Sequence, residues 1–267
     1  MSIPIEMVET DSIQMRFFRF GSGNMPLVIV PGLSVKPVSE SAAAIRQQYR
    51  QFTKDFTVYV FDRRANLPAH YTVEQMAEDT AAAIHALGLK RYCLFGASQG
   101  GMMAMLIAAA HPEAVQKLAL GSTCVSVNET ACSVIAHWAN LARQHKSKEL
   151  YLEFCQKVYP PVFFKKYKDL FITMSETVKD EELDRFVTLC EGTAGFDARA
   201  QLASLRCSVL ALSAADDAVL GAQAAADLAA AGQQNPQFSQ YLYTGYGHAS
   251  YDTAPDYGQR LFDFFTA

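Results

Sequence analysis

The segment Gly96-Ala97-Ser98-Gln99-Gly100-Gly101 sets a serine between glycines, one two positions before it and one two positions after. The apolar run Tyr92 to Phe95 precedes it, and the helix-forming run Gln99 to Ala110 follows. A nucleophilic serine needs that context. It must project from a tight, strained turn between a strand and a helix, where side chains on the flanking residues would collide. The same turn puts Ser98 at a helix N-terminus, where free N–H groups and the positive dipole end favour a developing oxyanion. A capping serine in an ordinary strand-to-helix turn has the same letters, so the argument turns on partners.

A serine hydroxyl attacks poorly at neutral pH without a general base in hydrogen-bond reach. Histidine suits the task because its unperturbed pKa lies near physiological pH. Of the six histidines, His248 alone falls in a glycine-flanked loop, Gly245-Tyr246-Gly247-His248-Ala249, just after the last predicted strand. His70 falls in a predicted loop, His85 on a helix and His111 at a helix end, while His137 and His145 lie in a long helical stretch. These five read as surface or packing residues. The imidazole in turn needs a carboxylate to fix its tautomer and stabilise its cation. The loop after the Val209 run offers two neighbours, Asp216 and Asp217. An aspartate there could also hold the loop through local hydrogen bonds. Glu129, after an earlier strand, is a remote alternative whose simpler role is a carboxylate at a helix start.

The elements that must position these groups follow from periodicity. Ile13 to Phe20 alternates and ends at Gly21-Ser22-Gly23, a strand leading into a turn. Leu27 to Val30 is a short continuous apolar run, the pattern of a strand covered on both faces. Ser41 to Phe52 predicts a helix and Thr57 to Phe61 a strand. Thr72 is placed to cap a helix running to about Leu87, with Gly88 suited to end it. After the serine segment, Val115 to Leu120 predicts another strand. From Val125 to Gly195 the pattern is helical, with no convincing strand; this stretch holds the single Trp138, a cluster of aromatics around Tyr159 to Phe171, and Pro160-Pro161. Alternation resumes with strands at Val209 to Leu212 and Phe238 to Tyr243, and helices at Gly221 to Ala231 and Pro255 to Phe265. Repeated β-α units imply a mainly parallel sheet with helices on both faces. The expected organisation is an α/β core of residues 1–124 and 196–267, with a helical block of residues 125–195 inserted in it.

Over nearly its whole length the chain resembles the α/β-hydrolase superfamily. Leu27-Val28-Ile29-Val30-Pro31-Gly32-Leu33 resembles the family's oxyanion-loop segment, and Gly245 to Ala249 its histidine loop. Phe61-Asp62-Arg63-Arg64 and His111-Pro112-Glu113-Ala114-Val115 match its next strand and its exit from the nucleophile helix. Most members carry His-Gly where this chain has Pro31-Gly32. The family's acid follows a Gly-x-x-Asp pattern; with Ala214 at the glycine position, the register favours Asp217 over Asp216. The order Ser98, Asp217, His248 is also the family's order. The resemblance implies oxyanion donors at the backbone N–H groups of Leu33 and Gln99. It implies that residues 125–195 form a helical cap whose aromatics line an apolar pocket or build the cap's own small core. The expected activity is that of a cofactor-free serine hydrolase cleaving a small carboxylic ester or a lactone, enol-lactones included, through an acyl-enzyme. C–C bond hydrolysis, acyl transfer and cofactor-free perhydrolysis use the same triad. A serine at the elbow disfavours dehalogenases and epoxide hydrolases with an aspartate nucleophile. A ligand receptor of the same fold that turns over slowly is the alternative class.

Composition bounds the partners. The chain has 267 residues, 50% of them hydrophobic and 11% aromatic, which is enough to bury a large core. With 23 basic against 27 acidic residues and no basic run, nothing in the charge invites nucleic acid or an anionic membrane. The expected partner is a small ester or lactone, and a monomer and a homodimer are equally compatible. The N-terminal residues lack the basic and apolar regions of a secretory signal, which points to the cytoplasm. The six scattered cysteines then read as reduced, mostly buried thiols, and the Asn128-Glu129-Thr130 sequon as chance. No metal-ligand spacing or phosphate-binding loop accompanies the serine, so no cofactor is expected.

Overall fold

The apolar runs become one eight-stranded sheet in a computed structural model that describes residues 3–267. Of the N-terminal stretch read above as lacking a leader, Met1 and Ser2 lie outside that range. The strands are β1 (Glu6–Glu9), β2 (Gln14–Gly21), β3 (Met25–Val30), β4 (Phe56–Arg64), β5 (Tyr92–Ala97), β6 (Val115–Gly121), β7 (Ser208–Ala214) and β8 (Phe238–Tyr243). They lie in the order β1-β2-β4-β3-β5-β6-β7-β8. The pairs β1–β2 and β2–β4 are antiparallel, and all others are parallel.

Continuous apolar runs make sense in a sheet covered on both faces. Along β3, Val28 and Val30 enter one core cluster while Leu27 and Ile29 enter the other, as the period of two requires. The first cluster is covered by α2 (Val73–Ala86), α3 (Gln99–Ala110), α8 (Arg199–Ser204) and α9 (Gln223–Gly232). The second is covered by α1 (Ala42–Gln48) and α11 (Tyr257–Thr266). Thr72 caps α2 as its position suggests: its hydroxyl accepts from the Gln75 amide, and the Gln75 side chain accepts in return from the Thr72 amide at 3.0 Å.

Between β6 and β7 the chain forms α4 (Glu129–Arg143), α5 (Ser147–Val158), α6 (Pro161–Ser175) and α7 (Asp180–Glu191). Asn128 caps α4 by accepting from the Ala131 amide at 2.9 Å, and Pro161 opens α6 where a missing N–H does no harm. An isolated antiparallel bridge, Ser126 to Asp197, ties the two ends of this block together.

Three elements depart from the sequence reading. The helix expected over Ser41 to Phe52 is broken into a 3₁₀ turn at Val38–Ser41, α1, and a second 3₁₀ turn at Arg50–Lys54. Tyr49 and Phe52, three residues apart, are both buried, and a 3₁₀ turn brings residues at that spacing directly into line. The edge strand β1 gave no periodic signal because it is four residues long and buries only Val8. The four-residue α10 (Ser250–Thr253), directly after the histidine loop, was too short to read.

From β3 the chain crosses to β4 on one side, and β5 lies on the other. The strand order therefore reverses at β3, and a crevice opens at the C-terminal ends of β3 and β5.

Candidate active site

Ser98 occupies that crevice, at the junction of β5 and α3. Its backbone adopts φ 52° and ψ −123°, a left-handed conformation that costs a non-glycine residue roughly 1–3 kcal/mol. The surroundings hold it there. The Ser98 amide donates to the Gly121 carbonyl at 2.8 Å, and the Ser98 carbonyl accepts from Thr123 Oγ1 at 2.7 Å and from the Gly101 amide at 2.8 Å. A Cβ on Gly96 would stand 2.3 Å from the Gly100 carbonyl oxygen, and one on Gly100 only 2.0 Å from that of Val30. The glycine spacing in the sequence is therefore a steric demand of this turn.

His248 follows β8 in a loop, 3% exposed, whereas the other five histidines all stand exposed to solvent. Its Nδ1 lies 2.7 Å from Asp217 Oδ2. The other oxygen of Asp217, Oδ1, accepts from the Val219 amide at 2.9 Å and the Leu220 amide at 2.8 Å. Burial by itself would raise the Asp217 carboxyl, but the His248 charge and hydrogen bond, with those two amides, hold it below the usual carboxylate range. Asp216 has a different set of contacts: Oδ1 accepts from the Gly245 amide at 3.1 Å and Oδ2 from the Gly247 amide at 3.2 Å, so it ties the histidine loop to the β7 loop. Glu129 lies exposed in the first turn of α4.

Ser98 and His248 line one small cavity together with Gly32, Leu33 and Gln99. Among the described residues their side chains make no direct hydrogen bond, and contacts of this kind tighten as a substrate enters. Among the same residues, neither the Leu33 nor the Gln99 amide has an acceptor. Trp138 and Ile135 of α4, with Phe154 and Val158 of α5, supply apolar walls. Polar donors and an apolar enclosure thus meet at one serine. No cluster of three or more His, Cys, Asp and Glu suited to a metal occurs among the described residues. No described helix is long and apolar enough to cross a membrane.

The sequence reading passed over one feature, the end of β4. Arg63, 6% exposed, donates through one terminal nitrogen to the Pro31 carbonyl at 2.9 Å and to Gln99 Oε1 at 3.1 Å. Gln99 Nε2 donates in turn to the Leu189 carbonyl of α7 at 2.8 Å. The Pro31 loop, the residue after Ser98 and helix α7 are thereby joined through the Arg63 and Gln99 side chains. Next to it, Asp62 accepts from Arg185 of α7 at 3.0 Å and from Ser39 Oγ at 3.1 Å. Burial pulls the Arg63 guanidinium down to about 10, yet it stays charged at neutral pH. Two arginines ending a largely buried strand were the available signal, but only the fold reveals what the first one touches.

The family model described as alpha/beta hydrolase fold matches residues 25–255. A 3-oxoadipate enol-lactonase of Acinetobacter baylyi is 19% identical over 222 residues, 80% of each chain. A protein of Pantoea ananatis, provisionally named as the carbamate hydrolase RutD, is 26% identical over 228 residues, 78% of each chain. Among solved structures, an alpha/beta hydrolase enzyme from a Medee basin deep-sea metagenome library superposes with a TM-score of 0.86 at 17% identity, covering 98% of both chains. With a family match over most of its length and that likeness in fold, the chain belongs to the alpha/beta hydrolase fold family.

Proposed function

We propose that this hydrolase-fold protein cleaves a small carboxylic ester or lactone through an acyl-enzyme on Ser98, with His248 as base and Asp217 as its orienting acid. The observation that carries the reading is the buried His248–Asp217 pair at 2.7 Å, opening on the cavity that also holds Ser98 in strained geometry. Asp217 accepts a hydrogen bond from Nδ1–H, which leaves Nε2 free to take the proton from the Ser98 hydroxyl as Oγ attacks the carbonyl carbon. The amides of Leu33 and Gln99 receive the oxyanion; each such donor is worth about 3 kcal/mol of barrier. His248 then gives its proton to the leaving oxygen. Water activated by the same imidazole attacks the acyl carbon, and Ser98 recovers its proton. Residues 125–195 act as a cap, whose Trp138 and Phe154 keep bulk water from the reacting bond. The names of the two relatives support substrates with a hydrolysable acyl carbonyl, lactone in one case and carbamate in the other.

The test is turnover of p-nitrophenyl acetate, followed by a screen across esters, lactones and carbamates. The wild type should turn over many times and take a fluorophosphonate label at Ser98, and Ser98→Ala should do neither while keeping its fold. A single stoichiometric burst with no further turnover would favour a receptor. Labelling at another serine, or full activity in Ser98→Ala, would refute the assignment.

A further inference from the structure

The cavity at Ser98 measures about 30 Å³, room for roughly one water molecule. No ester arm fits in that volume. Beside it, between the segment Ser34–Ser41 and helices α5 and α6, lies a second cavity of about 380 Å³. That size falls within the range of small-molecule sites, roughly 300–1,000 Å³. Phe154 lines both cavities and is the one residue their linings share. Phe154 is half-buried, 4.6 Å from Trp138 and 6.2 Å from Phe186 between ring centroids.

Two other cavities also touch the Ser98 site. One, reached through Tyr251, is lined by Gln47, Gln48 and Gln51 and is polar in character. The other, reached through Ile135 and Thr193, measures about 280 Å³ and is lined by no aromatic ring. The space beyond Phe154 differs in chemistry, being walled by Tyr151, Tyr159, Phe171 and Met174 besides Phe154 itself. Its cation, Lys36, is already neutralised by Glu40 at 3.1 Å, so the space offers no free charge to a carboxylate. Position also distinguishes it. It begins at Ser34, next to the oxyanion donor Leu33, whereas Tyr251 adjoins His248. In the mechanism above the leaving oxygen must stay by His248, so the alcohol lies on that side and the acyl chain extends past Leu33.

We propose that the cavity beyond Phe154 is the acyl subsite, selecting esters whose acyl group is an unbranched alkyl chain or a single aromatic ring, with no charge on it. The subsite rests on the hydrolase reading above. The Phe154 ring must swing aside to join the two spaces when substrate enters.

The experiment compares kcat/KM for p-nitrophenyl acetate and p-nitrophenyl hexanoate in the wild type, in Val38→Trp and in Phe154→Ala. Val38 lies in the wall of the larger cavity, and tryptophan there projects a bulky ring into the space and narrows it. Four extra methylenes entering an apolar site bring at most about a two-hundredfold preference for hexanoate; at least tenfold is expected in the wild type. Val38→Trp should reduce the hexanoate-to-acetate ratio at least fivefold. Phe154→Ala, if it folds, should raise the relative rate of p-nitrophenyl phenylacetate, because the partition is gone. An unchanged ratio in a folded Val38→Trp that still hydrolyses acetate overturns the subsite but leaves the hydrolase reading intact. A ratio that responds to Ala136→Trp instead, in the wall of the α4–α7 cavity alone, would move the acyl arm there and also overturn it. Absence of turnover on every ester would fall on the hydrolase reading itself.

Discussion

Replacing Asp217 by asparagine isolates the role of one oxygen atom. In the wild type Oδ1 serves the buried Val219 and Leu220 amides, and Oδ2 faces His248 Nδ1. An asparagine has one carbonyl oxygen for these two tasks. Turning it toward His248 would strand two buried N–H donors, at about 1–3 kcal/mol each. The carbonyl therefore stays with the amides, and the NH₂ group points at the imidazole. An NH₂ donor there requires an unprotonated Nδ1, so the ring proton moves to Nε2, the nitrogen that should accept from Ser98. The fold survives while the base is blocked. The expected loss in kcat is about 10⁴-fold, near 5 kcal/mol of barrier, by analogy with the same change in the trypsin triad. Asp216→Asn keeps one of its two bonds to the histidine loop, and less than a tenfold loss is expected. The assay is kcat on one activated ester for both variants, with circular dichroism to verify folding. More than a tenth of wild-type kcat in Asp217→Asn, or a larger loss in Asp216→Asn than in Asp217→Asn, would refute the reasoning. A second readout follows from charge. The folded protein holds the Asp217 carboxyl below its unfolded value of about 4, so its stabilising contribution is complete above that pH. It fades as pH falls through the lower folded value, and the stability gap between wild type and Asp217→Asn should narrow in the same window.

Three further outcomes are expected. Gly100→Ala puts a Cβ 2.0 Å from the Val30 carbonyl oxygen, a backbone overlap that no rotamer relieves, so melting temperature and ester turnover should both fall sharply; a normal Tm would contradict the turn geometry. Arg63→Met strands the Pro31 carbonyl and Gln99 Oε1, and kcat should fall on the order of tenfold with little change in KM; a pure KM effect would mean that the clamp does not reach the reacting groups. Burial pushes the thiols of Cys93 up to about 11 and of Cys124 and Cys155 to about 12, while Cys132 is exposed. A thiol reagent should therefore label Cys132 of the native protein first and half-buried Cys207 slowly, and rapid loss of more than two thiols would contradict the core as described.

Local chemistry was legible without a structure wherever sterics or periodicity act over a few residues. The glycines around Ser98, the Thr72 cap, the two-faced apolar strands and the helical stretch after Val125 all declare themselves that way, because each constraint is satisfied by neighbours in the chain. The family's loop register singled out Asp217, and its two local bonds to Val219 and Leu220 belong to the same short turn. Other features depend on residues far apart in sequence meeting in space. Arg63 meets Gln99 across 36 positions, and Gln99 meets Leu189 across 90, so no window along the chain contains the clamp. The 3₁₀ turn at Arg50–Lys54 brings Phe52 into the same core as Tyr49, a core built on the strands beneath them. The size of the Ser98 cavity, and the place of Phe154 in the lining of both it and a larger one, follow from how helices of the 125–195 block meet the loops after β3 and β5. The sequence determines which side chains can do chemistry; which of them touch, and how much room they leave, is decided by the packing of distant elements, since contact energies act through space and not along the chain.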